Sequence, residues 1–260
     1  MRTITLSELS RYSPWPARLS GAEPFEHKKK TPEELFREYN DEKYGRLLEA
    51  ATIEEAIDRY WNMHGEGAFS RHDELFVGDM REIHILRNKV FLDSLRPLLE
   101  KARYVVDLGA GFGQMLYLIQ REYPHLTYRA GEYTPNGVAL GQRLLPNIEF
   151  RRFDFAGNDW SIFDGVENAL IITVHAVEML PDAAPFVEKM RSLARHISAA
   201  VHFEPIYESD DTPLWTLRRQ YIEANGYCRN ILQSIPQPSL DRDFFGLNPL
   251  FPESRIEWKP

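Results

Sequence analysis

Residues 104–116 read YVVDLGAGFGQML. A short apolar run passes through Asp107, and glycines stand at 109, 111 and 113. Glycines at alternate positions suit a turn whose backbone takes positive φ and lets a ligand approach closely. The apolar run before it and the helix-like QMLYLIQREY after it make a strand, a loop and a helix. The texture then repeats. Strand-like LTYRAGEY, IEFRRFDF, NALIITVH and SAAVHFEP are interleaved with helix-like PNGVALGQRLL, DAAPFVEKMRSLARHI and TPLWTLRRQYIEANGY. Such alternation builds βαβ units and a mostly parallel sheet with helices on both faces. Two late strands, 228–237 and 254–260, lack a helix between them and suggest a closing hairpin with one antiparallel strand. A ligand of such a sheet sits at the carboxyl ends of the strands, where the strand order reverses.

Two ligand classes fit a glycine loop at that place. The dinucleotide fingerprint G-x-G-x-x-G fails in both registers, because the third glycine would fall on Gln114 or on Leu116. Asp107 is also unfavourable beside a pyrophosphate and favourable beside an ammonium group. The D-x-G-x-G-x-G pattern instead resembles the first motif of class I S-adenosylmethionine-dependent methyltransferases, and the resemblance covers about residues 80–260. It implies that Asp107, Gly109, Ala110, Gly111 and Gly113 hold the methionine part of S-adenosyl-L-methionine. It implies Glu132, with Tyr133 beside it, at the ribose, where two carboxylate oxygens suit two adjacent hydroxyls. Asp154 and Phe155 are implied at the adenine, with Asp159 and Trp160 as alternative neighbours. The stretch TVHAVEMLPD, starting at Thr173, is similar to S-x-H-V-L-E-H-x-P-D of small-molecule members, and Thr173 joins the implied cofactor residues. Met179 replaces the second histidine of that pattern, and no metal is expected.

The implied fold is α/β, a Rossmann-like seven-stranded mostly parallel sheet with one antiparallel strand, plus an N-terminal helical extension or lid. Residues 1–80 form the arm and lid and residues 81–260 the cofactor domain. In the arm, Trp15 and Phe25 are candidate anchors onto a core. Thr31-Pro32-Glu33-Glu34 starts a helix through about Ala50, and Thr52 to Glu55 starts a second to about Met63. Residues 64–79 read as a loop, and a third helix covers 80–101. Trp61, His64, Phe69, Arg71 and His72 are candidates for the lid, and Tyr39, Tyr44 and Tyr60 for its edge.

His175, at the carboxyl end of the fourth strand of the cofactor domain, is the main candidate for general base, since an imidazole accepts a proton near neutral pH. It reads equally as a structural histidine of that motif. Glu178 and Glu204 are candidates to orient substrate or imidazole, and Glu204 to bind a substrate cation; each reads also as a bracing carboxylate. Asp210 and Asp211 precede Thr212-Pro213 and read as a helix start rather than a magnesium site.

Composition narrows the partners. With 31 basic and 39 acidic residues the formal charge is −8, which disfavours a protein that works by neutralising phosphates. The basic run His27 to Lys30 reads as a solvated face. The lone Cys228 rules out a disulfide framework and a cysteine-rich zinc site. No stretch approaches 18 apolar residues, and the first residues lack the apolar segment of a secretory signal, so a cytoplasmic, membrane-free protein is expected. The expected acceptor is a polar small molecule methylated on O or N, in specialised metabolism; a peptide stays open, and nucleic acid is disfavoured. A nicotinamide-dependent oxidoreductase and a non-catalytic cofactor-binding protein are the alternatives from other classes, and oligomeric state is open.

Overall fold

The computed structural model describes residues 1–23 and 30–260. Phe25 and residues His27, Lys28 and Lys29 of the basic run lie outside the described residues. The chain opens with β1 (Arg2–Ile4), α1 (Trp15–Leu19), α2 (Pro32–Arg37) and α3 (Ile53–Trp61). Strands β2 (Glu66–Arg71) and β3 (Glu74–Asp79) lead into α4 (Met80–Leu99). The alternating part runs β4 (Tyr104–Leu108), α5 (Gln114–Glu122), β5 (Thr127–Glu132), α6 (Pro135–Leu144), β6 (Glu149–Arg152), β7 (Ala169–Val174), α7 (Ala184–Ser192) and β8 (Ile197–Glu204). It closes with α8 (Pro213–Asn225), α9 (Ile231–Ser234), β9 (Ser239–Phe245) and β10 (Glu253–Trp258).

Among the described residues, seven strands form one sheet in the order β6-β5-β4-β7-β8-β10-β9. Strand β4 pairs in parallel with β5 and β7, whereas β10 runs antiparallel to both β8 and β9. The order reverses between β4 and β7, and that reversal opens a crevice at their carboxyl ends. Strand alternation divides the core. Val105 joins Phe91, Leu116 and Val138 in the layer of α4, α5 and α6, while Val106 and Leu108 join Phe186 and Met190 of α7 on the other face. Asp107 lies two residues from Val105 and so shares its face.

Three sequence expectations are corrected. The helix expected through Ala50 stops at Arg37; a π-helical turn (Glu38–Tyr44) and a 3-10 turn (Gly45–Leu47) carry the chain on. The sixth strand is not at 228–237 but at Ser239–Phe245, because Ile231–Ser234 is helical and Pro236 and Pro238 offer no ladder donor. Residues 64–79 are not a loop. They form the β2–β3 hairpin, whose two turn residues His72 and Asp73 have φ +50° and +65°. A tight primed turn needs such angles and is usually announced by Asn-Gly or Asp-Gly.

That hairpin docks on the carboxyl-terminal end of the edge strand β9. Ser70 and Gly246 exchange two backbone hydrogen bonds of 2.9 Å, and the His72 N–H donates to the Asp243 carbonyl at 2.6 Å. Strand β1 extends the hairpin to three strands, and Trp15 packs edge-on against Tyr221 of α8 at 4.7 Å, so the arm folds back on its own chain. Arg218 of α8 fastens this junction. Its guanidinium donates to Asp73 and Asp243 at 2.8 Å each and to the Pro249 carbonyl at 2.9 Å. Asp243 is fully buried and also accepts from Ser70 Oγ at 2.7 Å. Asp210 caps the approach to α8 through the Thr212 N–H and pairs with Arg242, as a helix start. Arg218→Met leaves the buried Asp243 carboxylate without its cation, and the expected loss is about 3–5 kcal/mol in urea unfolding. A loss below about 1 kcal/mol, the size of an exposed pair, would show that the clasp is peripheral.

Candidate active site

The crevice at the carboxyl ends of β4 and β7 holds a cavity of about 510 Å³. The glycine loop forms its floor. Glu132 and Tyr133 from the end of β5, Asp154 and Phe155 after β6, and Val174 and His175 at the end of β7 form its walls. Phe36, Tyr39, Tyr44, Tyr60 and Trp61 from the N-terminal segment form its roof.

The three glycines do different work. Gly109 and Gly111 have φ of +80° and +56°. A Cβ on Gly109 would lie 2.3 Å from Ala176 Cβ, and one on Gly111 would lie 2.8 Å from Tyr44 Oη. Gly113, at φ +89°, does not line the cavity. Its Cβ would strike Phe150 and Leu145 at 2.7 and 2.8 Å, so it admits the close seating of α5 on the sheet.

Glu132 is nearly saturated by the protein. Its Oε2 accepts the Gly111 N–H at 2.9 Å, and its Oε1 accepts the Thr134 N–H at 2.8 Å and the Thr134 hydroxyl at 2.7 Å. A carboxylate offers about four acceptor positions, so one on Oε2 is left for a ligand hydroxyl. Asp107 is the opposite case. It is 2% exposed, lines the cavity, and its Oδ1 has no hydrogen-bond partner. Gln114, the first residue of α5, also lines the cavity. Its Oε1 accepts the Trp61 indole N–H at 2.6 Å, which leaves its buried Nε2 without a partner. Motif matching does not single out Gln114, although its place directly after the last glycine is a signal. Asp154 stands exposed at the rim, with Oδ1 on the Ala156 N–H at 2.9 Å. Asp159 and Trp160 lie off the cavity, where Asp159 caps the turn at Ser161 and Trp160 stacks on Phe163.

His175 faces the cavity in the left-handed region, at φ +51°. Its Nδ1 is 2.5 Å from Glu178 Oε2, and its Nε2 is 3.5 Å from Glu253 Oε1. Arg87 donates twice to that same Glu253 oxygen, at 2.9 and 2.6 Å. Burial opposes charge on the imidazole, but Glu178 and Glu253 outweigh it and hold its pKa well above the ordinary histidine value. The two carboxylates thus favour the protonated form of the ring. Arg87 and Glu253 give no sequence signal; they stand 166 residues apart and no local pattern joins them. Glu178 does not line the cavity and reaches it only through His175. Glu204 is fully buried and accepts the N–H groups of Ala176, Val177 and Glu178, which is the bracing arrangement and leaves no route to a substrate cation. Burial, with the Glu178 charge, pushes its pKa up to about 7.

Thr173 is expected at the cofactor but points away from the cavity. Its Oγ1 meets His202 Nδ1 at 3.0 Å, because strand alternation gives the cavity to Val174 instead. Of the lid candidates Trp61 lines the cavity; Phe69 stacks on Phe245 in the core, and His72 sits at the hairpin turn. His64 and Arg71 do not line it either. Tyr39 and Lys43 stand at Tyr-x-x-x-Lys spacing, but Lys43 Nζ lies over the Tyr39 ring at 3.7 Å, a cation–π contact in the roof.

Burial, with the charges of Glu132 and Glu204, pushes the Asp107 carboxyl up to about pKa 8. Its folded value thus exceeds the unfolded one of about 3.9. Such a group stabilises the fold below its unfolded pKa and loses that contribution as pH rises through the folded one. Ligand-free protein should lose this contribution to melting temperature between about pH 4 and 8, and Asp107→Asn should lose less over that range. Equal slopes in calorimetric melting would count against the buried, unpaired carboxyl.

No family model matches the chain, and neither does any curated protein. Solved structures that it is similar to include a sugar N-methyltransferase from a Streptoalloteichus species, at 19% identity and TM-score 0.37 over 45% of this chain and 46% of that one. An amino pentose methyltransferase from Micromonospora echinaspora, involved in calicheamicin biosynthesis, matches at 20% identity and TM-score 0.37 over 51% and 58%. The chain thus spans about half the length of these two. An O-methyltransferase family protein from Burkholderia thailandensis matches at 13% identity and TM-score 0.47 over 94% and 67%. The strand order, the single antiparallel strand and the glycine loop at the point of reversal make this a Rossmann-like fold with a seven-stranded, mostly parallel sheet, as the sequence implies.

Proposed function

We propose that the chain transfers a methyl group from S-adenosylmethionine to an oxygen or nitrogen of a polar small molecule, with specialised metabolism as the setting. The observation that carries this reading is a complementary pair of orphaned polar atoms in one cavity. Asp107 Oδ1 is an acceptor without a donor, and Gln114 Nε2 is a donor without an acceptor. Buried polar atoms are rarely left unpaired in a native protein. An ammonium group and a carboxylate on one carbon would satisfy both, and the methionine end of the cofactor has that form. A nicotinamide dinucleotide has a pyrophosphate and no such pair. Glu132 and Tyr133 then fall to the ribose, and Asp154 and Phe155 to the adenine.

When bound, the cofactor supplies an electrophilic methyl carbon on a positively charged sulfur. The chain's own task is alignment, since holding acceptor and methyl carbon in line removes most of the entropic barrier. The aromatic roof covers part of the cavity, where it would limit the access of water to the reacting centre. The bond from acceptor to methyl forms as the carbon–sulfur bond breaks, and the acceptor's proton leaves to a base. His175 is the proposed base. As an imidazolium it has no lone pair, so it accepts a proton only in its deprotonated fraction, which grows as pH rises.

Isothermal titration with S-adenosylmethionine, S-adenosylhomocysteine and NAD tests the cofactor. Both sulfur nucleosides should bind and NAD should not, and Glu132→Ala should weaken binding roughly ten- to a hundredfold. Binding of NAD alone would overturn the reading. Turnover should rise with pH above neutrality. Glu178→Gln removes one of the carboxylates that sustain the imidazolium and should move that rise to lower pH. His175→Ala should keep cofactor affinity and lose about 10²–10⁴ in kcat. Near-full turnover in that variant would end the assignment of the base.

A further inference from the structure

We infer that Glu204 is a positioning residue: its carboxylate builds the turn after β7 and thereby holds Glu178 against His175. The turn is unusual for its residues. His175 adopts φ +51° without being glycine, and such backbone persists only where its surroundings impose it. Three successive N–H groups then converge on one buried side chain. Glu204 Oε1 accepts from Ala176 at 3.0 Å and Val177 at 3.1 Å, and Oε2 accepts from Ala176 at 3.1 Å and Glu178 at 3.2 Å. Consecutive backbone N–H groups arranged in this way form an anion nest, and here the anion is the last residue of the adjacent strand.

The turn is tied at both ends. The His175 N–H donates to the Phe203 carbonyl at 3.1 Å, and the Cys228 N–H donates to the Glu178 carbonyl at 2.8 Å. With the backbone of Glu178 fixed on Glu204, its carboxylate meets the imidazole at 2.5 Å. Ala176, held by the same carboxylate, lines the cavity and closes on Gly109. Glu204 is itself sealed from the cavity, so it acts on an acceptor only through these neighbours. Both oxygens act as acceptors here, which an amide cannot match. An amide at this position would turn an NH2 towards N–H donors, and a buried N–H left unpaired is costly.

The link from this turn to turnover rests on the methyltransferase reading, whereas the positioning itself does not. The test therefore uses ligand-free protein and follows the His175 ring by nitrogen-detected NMR titration. Glu178, Glu253 and Arg87 are the charged groups around that ring, and the Glu204 charge also reaches it, so the double variant separates that direct effect from positioning. In the native protein the ring should stay protonated well past neutrality. In Glu204→Gln its midpoint should fall by about one pH unit or more, as it should in Glu178→Gln. The double variant should fall no further than either one, because both act through a single contact. An unchanged His175 midpoint in Glu204→Gln, even with a lower melting temperature, would reduce Glu204 to packing and overturn the inference. Additive shifts would overturn it too, by showing that Glu204 acts without Glu178. Should Glu204→Gln fail to fold, Glu204→Asp keeps the charge but shortens its reach. A midpoint between the native and Glu178→Gln values would support the positioning, and a native value would overturn it. Failure to bind S-adenosylmethionine leaves all these outcomes readable.

Discussion

The hydrogen bonds that converge on the Glu132 carboxylate hold the two halves of the cavity together. In the loop with positive φ at Gly109 and Gly111, the Gly109 and Ala110 N–H groups still donate to the Gly131 carbonyl of β5, whereas the Gly111 N–H depends on a side-chain acceptor, and a buried N–H without a partner destabilises the fold. Glu132, from the neighbouring strand, accepts the Gly111 N–H and also anchors Thr134 at the start of the next helix. One carboxylate thus sets the loop, the end of β5 and the entry of α6 in a fixed relation. Burial pushes its pKa up, and the protein donors offset that cost. The roof depends on this arrangement in turn. Tyr44 rests over Gly111, where a side chain on the loop would displace it. Asn40 bonds to Asn136 of α6, through its Oδ1 at 3.0 Å and its carbonyl at 2.8 Å.

A second set of buried charges lies behind the opposite wall. It runs from Glu204 through the turn to Glu178, His175, Glu253 and Arg87, from the end of β8 to the inner face of α4. Each carboxylate in it faces a cation or a group of N–H donors, the condition on which charge can remain inside a protein. The same condition favours the protonated form of His175, whose ring lies between the Glu178 and Glu253 carboxylates.

The N-terminal segment does not form a separate body. Its helices roof the cavity, and its hairpin docks on the end of β9. The Arg218 clasp joins that hairpin to α8 through buried charges, so the arm and the sheet share one interior. A boundary drawn at residue 80 follows the change of sequence texture. The packing crosses it at Phe69 against Phe245 and at Trp61 against Gln114.

Much of this architecture is legible in local sequence patterns. They yield the strand, glycine loop and helix at 104–122, the parallel sheet with its late antiparallel strand, and the placement of Asp107, Glu132 and His175 on strand ends. Period, turn chemistry and chain order report what each backbone segment does, and those properties are local. Motif position assigns Thr173 and Gly113 to the cofactor, yet the face each presents depends on pleat and packing. The His72-Asp73 turn hides a hairpin because its residues are not the usual ones for positive φ. Arg87, Gln114 and Glu253 carry no pattern of their own. The sequence by itself determined which elements form and in what order, because backbone preference is written in short windows. The tertiary structure alone decided that His175 lies between two carboxylates, that Asp107 has no partner and that Glu204 braces a turn, because charge and hydrogen bonding depend on distances between residues far apart in the chain.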